Sequence, residues 1–314
     1  MGDTAQHKIN DLLEYAELGQ ADEIRSLGSG VHNDGYYAKV GSREYCVRIA
    51  RYEGKRGLIR EADALNRLPE GIAPELIYFA EDTAPIDRLW SIATFIDGEQ
   101  PKQLTIPQLK SLGSKLAQVH AIPAPEHDTV DAGEVTGNKK DLWEYLLWSC
   151  RSFYDPNEAI ADVRLANLVP KIKQWFEEQQ KALHVPAIKY LLHKDIGVGN
   201  IIARGDEVFL IDWEDREFGD PMSDFPTGFW DIKAAGRIIL SSEERQALYS
   251  GYSAAGGTID DGRIRMWTTF DKMVVVLFFA NRIYKPKDDA KSEQLNEYRR
   301  ELDAIVDSID GLLV

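Results

Sequence analysis

The sequence predicts an α+β protein with two unequal lobes, a small β-rich N-terminal lobe and a larger, mainly helical C-terminal lobe. Residues 1 to about 95 combine few helical patterns with short runs of β-branched and aromatic residues. After about residue 101, apolar residues recur mostly at three- and four-residue spacing. Between these halves, Gly98 frees the backbone and Pro101 ends regular strand pairing. We therefore predict lobes over residues 1–96 and 102–314, joined by a hinge at 97–101.

The N-terminal lobe is predicted to contain a short helix, a strand pair, a second helix and further strands. The strand pair covers residues 36–40 and 45–49, and a turn beginning at Gly41 separates the two runs. The apolar residues of the two helical stripes are Ile9, Leu12, Leu13 and Ala16 in the first and Leu58, Ala62, Leu65 and Leu68 in the second. Both stripes follow the helical period, so each helix has one face to bury.

The C-terminal lobe is predicted to begin with a helix whose buried face carries Leu109, Leu112, Leu116 and Val119. Residues 123–138, rich in Pro, Gly, Asp and Glu, are predicted to form a surface excursion. A short hairpin is predicted over residues 201–211, with its turn at 204–207. No internal repeat is visible in the sequence.

Composition restricts the classes of partner. The chain has 314 residues, 44% of them hydrophobic, and a net charge of -15, so we expect real cores and neither nucleic acid nor an anionic membrane as main partner. Two cysteines, Cys46 and Cys150, lack the spacing of a zinc site and are expected to be buried thiols. The longest apolar run, residues 273–280, is too short to span a bilayer. We expect a cytoplasmic monomer or homodimer that acts on a small molecule.

The residues that indicate chemistry lie between positions 193 and 212. Asp195 follows His193, Asn200 comes five residues after Asp195, and the predicted hairpin returns the chain so that Asp212 lies near Asn200. Magnesium prefers oxygen ligands and keeps waters and phosphate oxygens, so Asp212 and Asn200 suffice as protein ligands. Asp195 is then free to face an acceptor hydroxyl and take its proton.

In this order, the motifs resemble the aminoglycoside phosphotransferase and choline kinase family, a small-molecule branch of the protein-kinase-like fold. They are the segment His193, Lys194, Asp195, Ile196, Gly197, Val198, Gly199, Asn200, then Ile211, Asp212, Trp213, Glu214, then Gly219, Asp220, Pro221 and Asp224. The resemblance implies ATP- and magnesium-dependent phosphorylation of a hydroxyl on a small molecule. It implies Asp195 as base and Asn200 and Asp212 as metal ligands. Lys194 departs from relatives, which commonly have a small residue there, and Asp220 and Asp224 are interpreted as structural.

The nucleotide is expected to contact the N-terminal lobe. Gly28, Gly30 and Asn33 form a loose glycine loop whose backbone N–H groups can cover phosphates. Arg48 stands where protein kinases have a lysine, and we expect Glu61 of the following helix as its partner. The adenine of relatives sits against the connection after Phe95 and Ile96. No Gly-Lys-Ser/Thr sequence is present, which removes the P-loop alternative.

The acceptor is the least determined part of the prediction. Candidate contacts in the C-terminal lobe are Glu214, Asp231, Trp267 and Asp271, with Asp215 and Glu217 as further acids. Clustered carboxylates suit a polycationic aminoglycoside, while an aromatic box suits a quaternary amine. An aminoglycoside-like antibiotic is the first hypothesis because the Gly219 to Asp224 motif resembles the bacterial resistance branch. A choline, amino-alcohol or sugar metabolite is the alternative.

Two alternatives of another kind stay open at the level of sequence. Arg48 and Lys194 also fit a catalytically silent nucleotide-binding module that regulates a partner, although such a module has no need of Asp195, Asn200 and Asp212. Transfer of AMP instead of phosphate is the other alternative. It would reveal itself by release of pyrophosphate.

Overall fold

The small lobe is a five-stranded antiparallel sheet with one helix packed on it. The computed structural model describes residues 3–29, 33–51, 57–80, 83–126, 142–150, 163–182, 189–225, 240–285 and 292–310. The strands are β1 (Glu23–Ser29), β2 (Asn33–Val40), β3 (Arg43–Ala50), β4 (Leu76–Phe79) and β5 (Trp90–Thr94), in the spatial order β1-β2-β3-β5-β4. Helix α1 (Asp3–Tyr15) buries Ile9, Leu12 and Leu13 against the sheet, as their spacing predicts.

Helix α2 (Gly57–Arg67) belongs to the small lobe in sequence but packs partly with the large one. Leu58 and Ala62 are buried, as predicted. Ala64 and Leu65 of α2, with Ala93 of β5, belong to the main hydrophobic core of the helical lobe. The lobe boundaries at residues 96 and 102 therefore stay a prediction. The hydrophobic core of the large lobe includes residues from the N-terminal side of that boundary.

The large lobe is mainly helical. Its helices are α3 (Ile106–Val119), α4 (Leu142–Cys150), α5 (Val163–Ala182), α6 (Ser242–Ala254), α7 (Asp261–Tyr284) and α8 (Ser292–Asp310). Two small sheets accompany them, one of β6 (Tyr190–Leu192) with β9 (Glu217–Gly219) and one of β7 (Ile201–Arg204) with β8 (Glu207–Leu210). The apolar run at 273–280 lies inside α7. Within the described residues, no helix is both long and apolar enough to cross a membrane.

Helices α3 and α6 pack backbone to backbone. A capping box at Thr105 starts α3, because the Thr105 hydroxyl accepts from the Gln108 N–H and the Gln108 side chain accepts from the Thr105 N–H. A methyl group on Gly113 of α3 would collide with the Leu248 carbonyl oxygen of α6, and one on Gly251 of α6 would collide with the carbonyl of Lys110. Glycine at both positions permits the close approach.

The predicted hinge, residues 97–101, is fastened to the large lobe by main-chain hydrogen bonds. The Glu99 N–H donates to the Ala203 carbonyl of β7 at 3.0 Å, and the Ala203 N–H donates back at 2.8 Å. A Cβ on Gly98 would lie 2.6 Å from the same Ala203 carbonyl oxygen, so this approach requires glycine. The prediction of a two-lobed α+β fold, small β-rich and larger helical, is confirmed.

Candidate active site

A cleft of about 820 Å³ lies between the two lobes. Residues from both lobes line it, among them Gly28, Asn33 and Arg48 from the small lobe and Asp195, Asn200 and Asp212 from the large one. Phe95 and Ile96 also line it, next to the hinge. The structure therefore brings the predicted nucleotide and catalytic residues to one cavity, although most of them are distant in sequence.

Asn200 orients Asp195. Asn200 ends a 3₁₀ turn, Val198–Asn200, that follows residues 193–197, the predicted catalytic loop. Its side-chain Nδ2 donates to Asp195 Oδ2 at 2.7 Å and to the Asp195 carbonyl at 2.9 Å. Because the amide nitrogen is used in this way, Oδ1 is the atom that Asn200 presents for other ligands.

His193 is a buried, neutral support of the same loop. The Asp195 N–H donates to His193 Nδ1 at 3.2 Å, so the ring proton resides on Nε2, which donates to the Ile211 carbonyl at 3.0 Å. Burial lowers the pKa of His193 below its ordinary value, although the charges of nearby carboxylates act to raise it. The ring packs on Trp213 with centroids 4.5 Å apart. Trp213 is fully buried, as expected for a residue beneath the loop.

Asp224 braces the catalytic loop from below. Its Oδ2 accepts the His193 N–H at 2.7 Å, and its Oδ1 accepts the Lys194 N–H at 2.8 Å. His120 Nε2 lies 3.2 Å from Asp224 Oδ2. Burial would raise the pKa of Asp224, but the hydrogen bond and charge of His120 together with Lys194 and the backbone donor hold it below the usual range. Lys194 has a φ of 67°, which is a left-handed conformation. The hydrogen bond from its N–H to Asp224 helps to stabilise this conformation.

Asp220 also has a structural role, and it binds the indole N–H of Trp267. Asp220 caps the 3₁₀ turn Pro221–Ser223 and accepts from Arg263 at 2.9 Å. The buried Trp267 indole donates to Asp220 Oδ2 at 2.9 Å. The suggestion that Trp267 contacts the acceptor is therefore not supported, because its polar atom is used inside the core. The sequence could not separate the two roles, since large rings at helical spacing suit both.

The β7–β8 hairpin brings Asp212 beside Asn200. The Ile211 N–H donates to the Asn200 carbonyl at 3.0 Å, so the two ends of the hairpin are hydrogen-bonded. Gly205 provides the left-handed turn, with φ of 61°. Asp212 itself has φ of 64°, unusual for a residue with a side chain. The hairpin therefore returns the chain so that Asp212 lies near Asn200, as predicted from the sequence.

Arg48 links three structural elements. It donates through Nη1 to Glu61 of α2 and through Nη2 to Asp212 Oδ1 at 2.9 Å. The contact with Glu61 is the one predicted from the sequence. Burial alone would lower the pKa of Arg48, but the charges of Glu61 and Asp212 outweigh it and raise the pKa, so the guanidinium stays charged. A lysine could not hold two carboxylates in this forked geometry.

Glu214 lines the cleft and also contacts the small lobe, and its role as an acceptor contact stays a prediction. Its Oε2 accepts from Asn33 Nδ2 at 2.9 Å, and it packs against Gly57 at the start of α2. Burial, reinforced by the charge of Asp212, raises its pKa to about 7.

Asp215, named with Glu214 among the candidate acids, also lines the cleft. Its side chain is exposed in the cleft, yet the surrounding atoms limit its solvation. The limited solvation, together with the charges of Asp195 and Asp212, raises the pKa of Asp215 to about 6. Asp271 lies on α7 and Trp267 lies in the core, and neither is among the residues that line the cleft in the described part of the chain.

Some predicted residues are outside the described residues, and others were missed. Gly30 and Asp231 fall in the ranges 30–32 and 226–239. Gln100 was missed, although its side-chain amide donates to the Gly199 carbonyl at 2.7 Å and so ties the hinge to the catalytic loop. Cys150 is buried as expected, but Cys46 is only half-buried and lines the cleft. Burial raises the pKa of Cys46 to about 11, so its thiol stays protonated.

The donor set fits magnesium. Asp212 offers its second carboxylate oxygen and Asn200 its amide oxygen, both beside Asp195 in the cleft. Among the described residues, no group of three or more His, Cys, Asp or Glu side chains could hold a metal ion.

Comparisons with known proteins agree with this geometry. The model of the family described as "APH: Phosphotransferase enzyme family" matches residues 23–267. A spectinomycin phosphotransferase, APH(9)-Ia, solved with ADP and spectinomycin, is 16% identical, with a TM-score of 0.64 and 98% of each chain covered. Choline kinase LicA from Streptococcus pneumoniae is 16% identical, with a TM-score of 0.62, covering 97% of this chain and 100% of its own. The search of curated proteins found no match.

The match of the family model over most of the chain decides the family, while the solved structures, at such low identity, show the fold alone. The cleft described above lies within the matched residues. The chain belongs to the APH phosphotransferase enzyme family and is a small-molecule kinase.

Proposed function

We propose that this protein transfers the γ-phosphoryl group of ATP, with magnesium, to a hydroxyl of a small cationic molecule. The observation that carries the proposal is the convergence of Asp195, Asn200 and Asp212 in one cleft, with Arg48 bound to both Asp212 and Glu61 beside them. An in-line transfer needs a base facing the acceptor and positive charge around the phosphates, and this arrangement supplies both.

Each residue has a distinct task in this scheme. Asp195, held by Asn200, accepts the proton of the acceptor hydroxyl. Arg48 presents positive charge to the phosphates, and the glycine loop at Gly28 and Asn33 covers them. Asp212 and Asn200 would hold magnesium, which neutralises charge that develops on the phosphates when it is bound. The apolar lining at Phe95 and Ile96 would take the adenine ring.

The acceptor is proposed to carry protonated amines. Asp195 and Asp215 both face the cleft, and their mutual charge contributes to the raised pKa of Asp215. A cationic acceptor would relieve this repulsion, whereas a neutral or anionic one would not. An aminoglycoside-like antibiotic is our first candidate, and a choline, amino-alcohol or sugar metabolite the second. A role in antibiotic resistance, a cytoplasmic location and a monomeric or homodimeric state complete the proposal.

A panel assay tests it. The protein is mixed with MgATP and aminoglycosides, macrolides, choline and amino sugars in turn, and release of ADP and of pyrophosphate is followed. We expect ADP release with at least one cationic acceptor and its loss in Asp195→Ala. Nucleotide binding without turnover on any acceptor would favour a silent regulatory module. Pyrophosphate in place of ADP would indicate transfer of AMP. Full activity in Asp195→Ala would remove that residue from its assigned role.

A further inference from the structure

Helix α2 is attached to the segment that follows Asp212 by a buried ion pair outside the predicted nucleotide contacts. Arg216 Nη2 lies 2.9 Å from Asp63 Oδ2. The Arg216 side chain is 0% exposed and that of Asp63 is 15% exposed. Asp63 lies two residues after Glu61 on α2, and Arg216 lies four residues after Asp212. The pair therefore connects the helix that orients Arg48 with the segment that carries Asp212.

The same two elements meet at further points. The backbone N–H of Trp213 lies near enough to Glu61 to favour its ionised form, which acts against the rise that burial causes in the pKa of that carboxyl, and Arg48 joins Glu61 to Asp212. Glu214 and Arg216 thus lie against Gly57 and Asp63 of α2, and Asp212 is joined to the same helix through Arg48 and Glu61. Because the Arg216 N–H donates to the Trp213 carbonyl at 3.1 Å, this segment is a tight turn, and its two ends are not independent. A shift of Arg216 would be passed to Trp213 and Asp212.

Asp63 has a second arginine partner on its own helix. Arg67, one helical turn later on α2, donates through Nε and Nη2 to Asp63 Oδ1 at 3.0 and 2.7 Å. Both guanidinium groups lie over the ring of Phe218, at 5.0 Å for Arg216 and 5.6 Å for Arg67. The two arginines share a carboxylate and a ring, but only Arg216 belongs to the large lobe. The chain thus contains its own matched control.

A buried ion pair is a poor way to gain stability alone. Desolvation of two charges offsets much of their attraction, and an apolar pair of equal volume is often as stable. Separating such a pair is costly, however, because it leaves an uncompensated charge in the interior, so the pair keeps Arg216 and Asp63 close together. Arg216 is fixed here against a helix whose other polar contact, Glu61, holds Arg48.

We infer that Arg216 is a positioning residue for the phosphate-binding end of the cleft: through Asp63 it fixes α2 so that Glu61 holds Arg48 in place. The inference rests on the proposed nucleotide function, and it adds a residue that does not touch the nucleotide. Arg216 is absent from the cleft lining, while Glu61 and Arg48 are part of it.

The test compares Arg216→Met with Arg67→Met in the full-length protein. Affinity for a non-hydrolysable ATP analogue with magnesium is measured by calorimetry, and thermal stability is measured in parallel. We expect Arg216→Met to weaken nucleotide affinity at least tenfold and Arg67→Met less than threefold. Arg216→Lys, which keeps the charge and is less disruptive to folding, is expected to fall between Arg216→Met and the wild type. Equal nucleotide affinity in the wild type, Arg216→Met and Arg216→Lys would overturn the inference.

A second background separates positioning from general structural damage. In Glu61→Gln, the contact through which Arg216 is inferred to act is already weakened, so adding Arg216→Met should change affinity less than threefold, against at least tenfold in the wild-type background. The same fold-loss in both backgrounds would mean that Arg216 does not act through Glu61, which contradicts the inference. If the wild type bound no nucleotide, the proposed function would fail instead, so the two failures are distinguishable.

Discussion

Replacing Asp224 by Asn tests the hydrogen bonds that support the catalytic loop from below, because the substitution exchanges only one carboxylate oxygen for an NH₂ group. In the folded protein, Oδ1 accepts the Lys194 N–H and Oδ2 accepts the His193 N–H, and the side chain is fully buried. An asparagine has one acceptor oxygen and one NH₂ group. In either orientation, the NH₂ faces one of these backbone donors and leaves it without an acceptor.

The expected loss follows from that count. One charge-assisted hydrogen bond is replaced by a buried donor facing a donor, which should cost about 2–4 kcal/mol in free energy of unfolding. Chemical denaturation of nucleotide-free protein at pH 7 measures it. Asp206→Asn, in the exposed turn of the β7–β8 hairpin, is the control and should stay within about 0.5 kcal/mol of wild type. Turnover should fall as well, because Asp195 follows the braced residues directly.

The pH dependence gives a second, independent result. The pKa of Asp224 is lower in the folded than in the unfolded protein, so its contribution is complete above the unfolded pKa, about 3.9. The contribution is lost as the pH falls from there through the folded pKa. The difference between wild type and Asp224→Asn should therefore stay constant from pH 5 to about 8 and shrink below about pH 4. A loss under about 1 kcal/mol, or one that persists undiminished in acid, would refute this account of the brace.

Three further predictions can be checked on the same protein. Arg48→Lys cannot hold both of its carboxylate partners, so affinity for MgATP should fall about 10- to 100-fold by calorimetry, and unchanged affinity would contradict the forked geometry. Gly251→Ala places a methyl group against the Lys110 carbonyl and should cost about 1–3 kcal/mol, lowering Tm. The exposed Gln246→Ala on the same helix is the control. Glu214 has its folded pKa raised from 4.5 to about 7, so its stabilising contribution is complete below 4.5 and lost as the pH rises through 7. Glu214→Gln should therefore gain stability relative to wild type over that range in metal-free buffer, and parallel pH curves would contradict this.

Local patterns predicted most of the fold and part of the site. The spacing in α1, α2 and α3 determined which faces are buried, because helical period and apolar burial act within one element. The hairpin after Asn200 was predictable for a similar reason, since a turn at Gly205 leaves only one way for Asp212 to return. The partner of Arg48 could be predicted because Glu61 is the carboxylate nearest the start of the following helix.

The contacts that the sequence did not reveal join distant elements. Glu214 meets Asn33 across 181 positions, and Arg216 meets Asp63 across the lobes. Periodicity describes which face of an element is apolar, but it does not determine which polar residue of another element lies opposite. Trp267 shows the same difficulty, because an indole suits a binding pocket and a core equally until its N–H partner, Asp220, is known.

The apolar face of helix α2 has a consequence for cooperativity. Ala64 and Leu65 are inserted among residues of the large lobe, and the Leu210 N–H donates to the Ile72 carbonyl at 2.9 Å. A fragment ending at the hinge would expose this surface to water, so the small lobe is not an autonomous folding unit. Both lobes should therefore melt in one transition, and neither can be exchanged between relatives as a module without rebuilding the other.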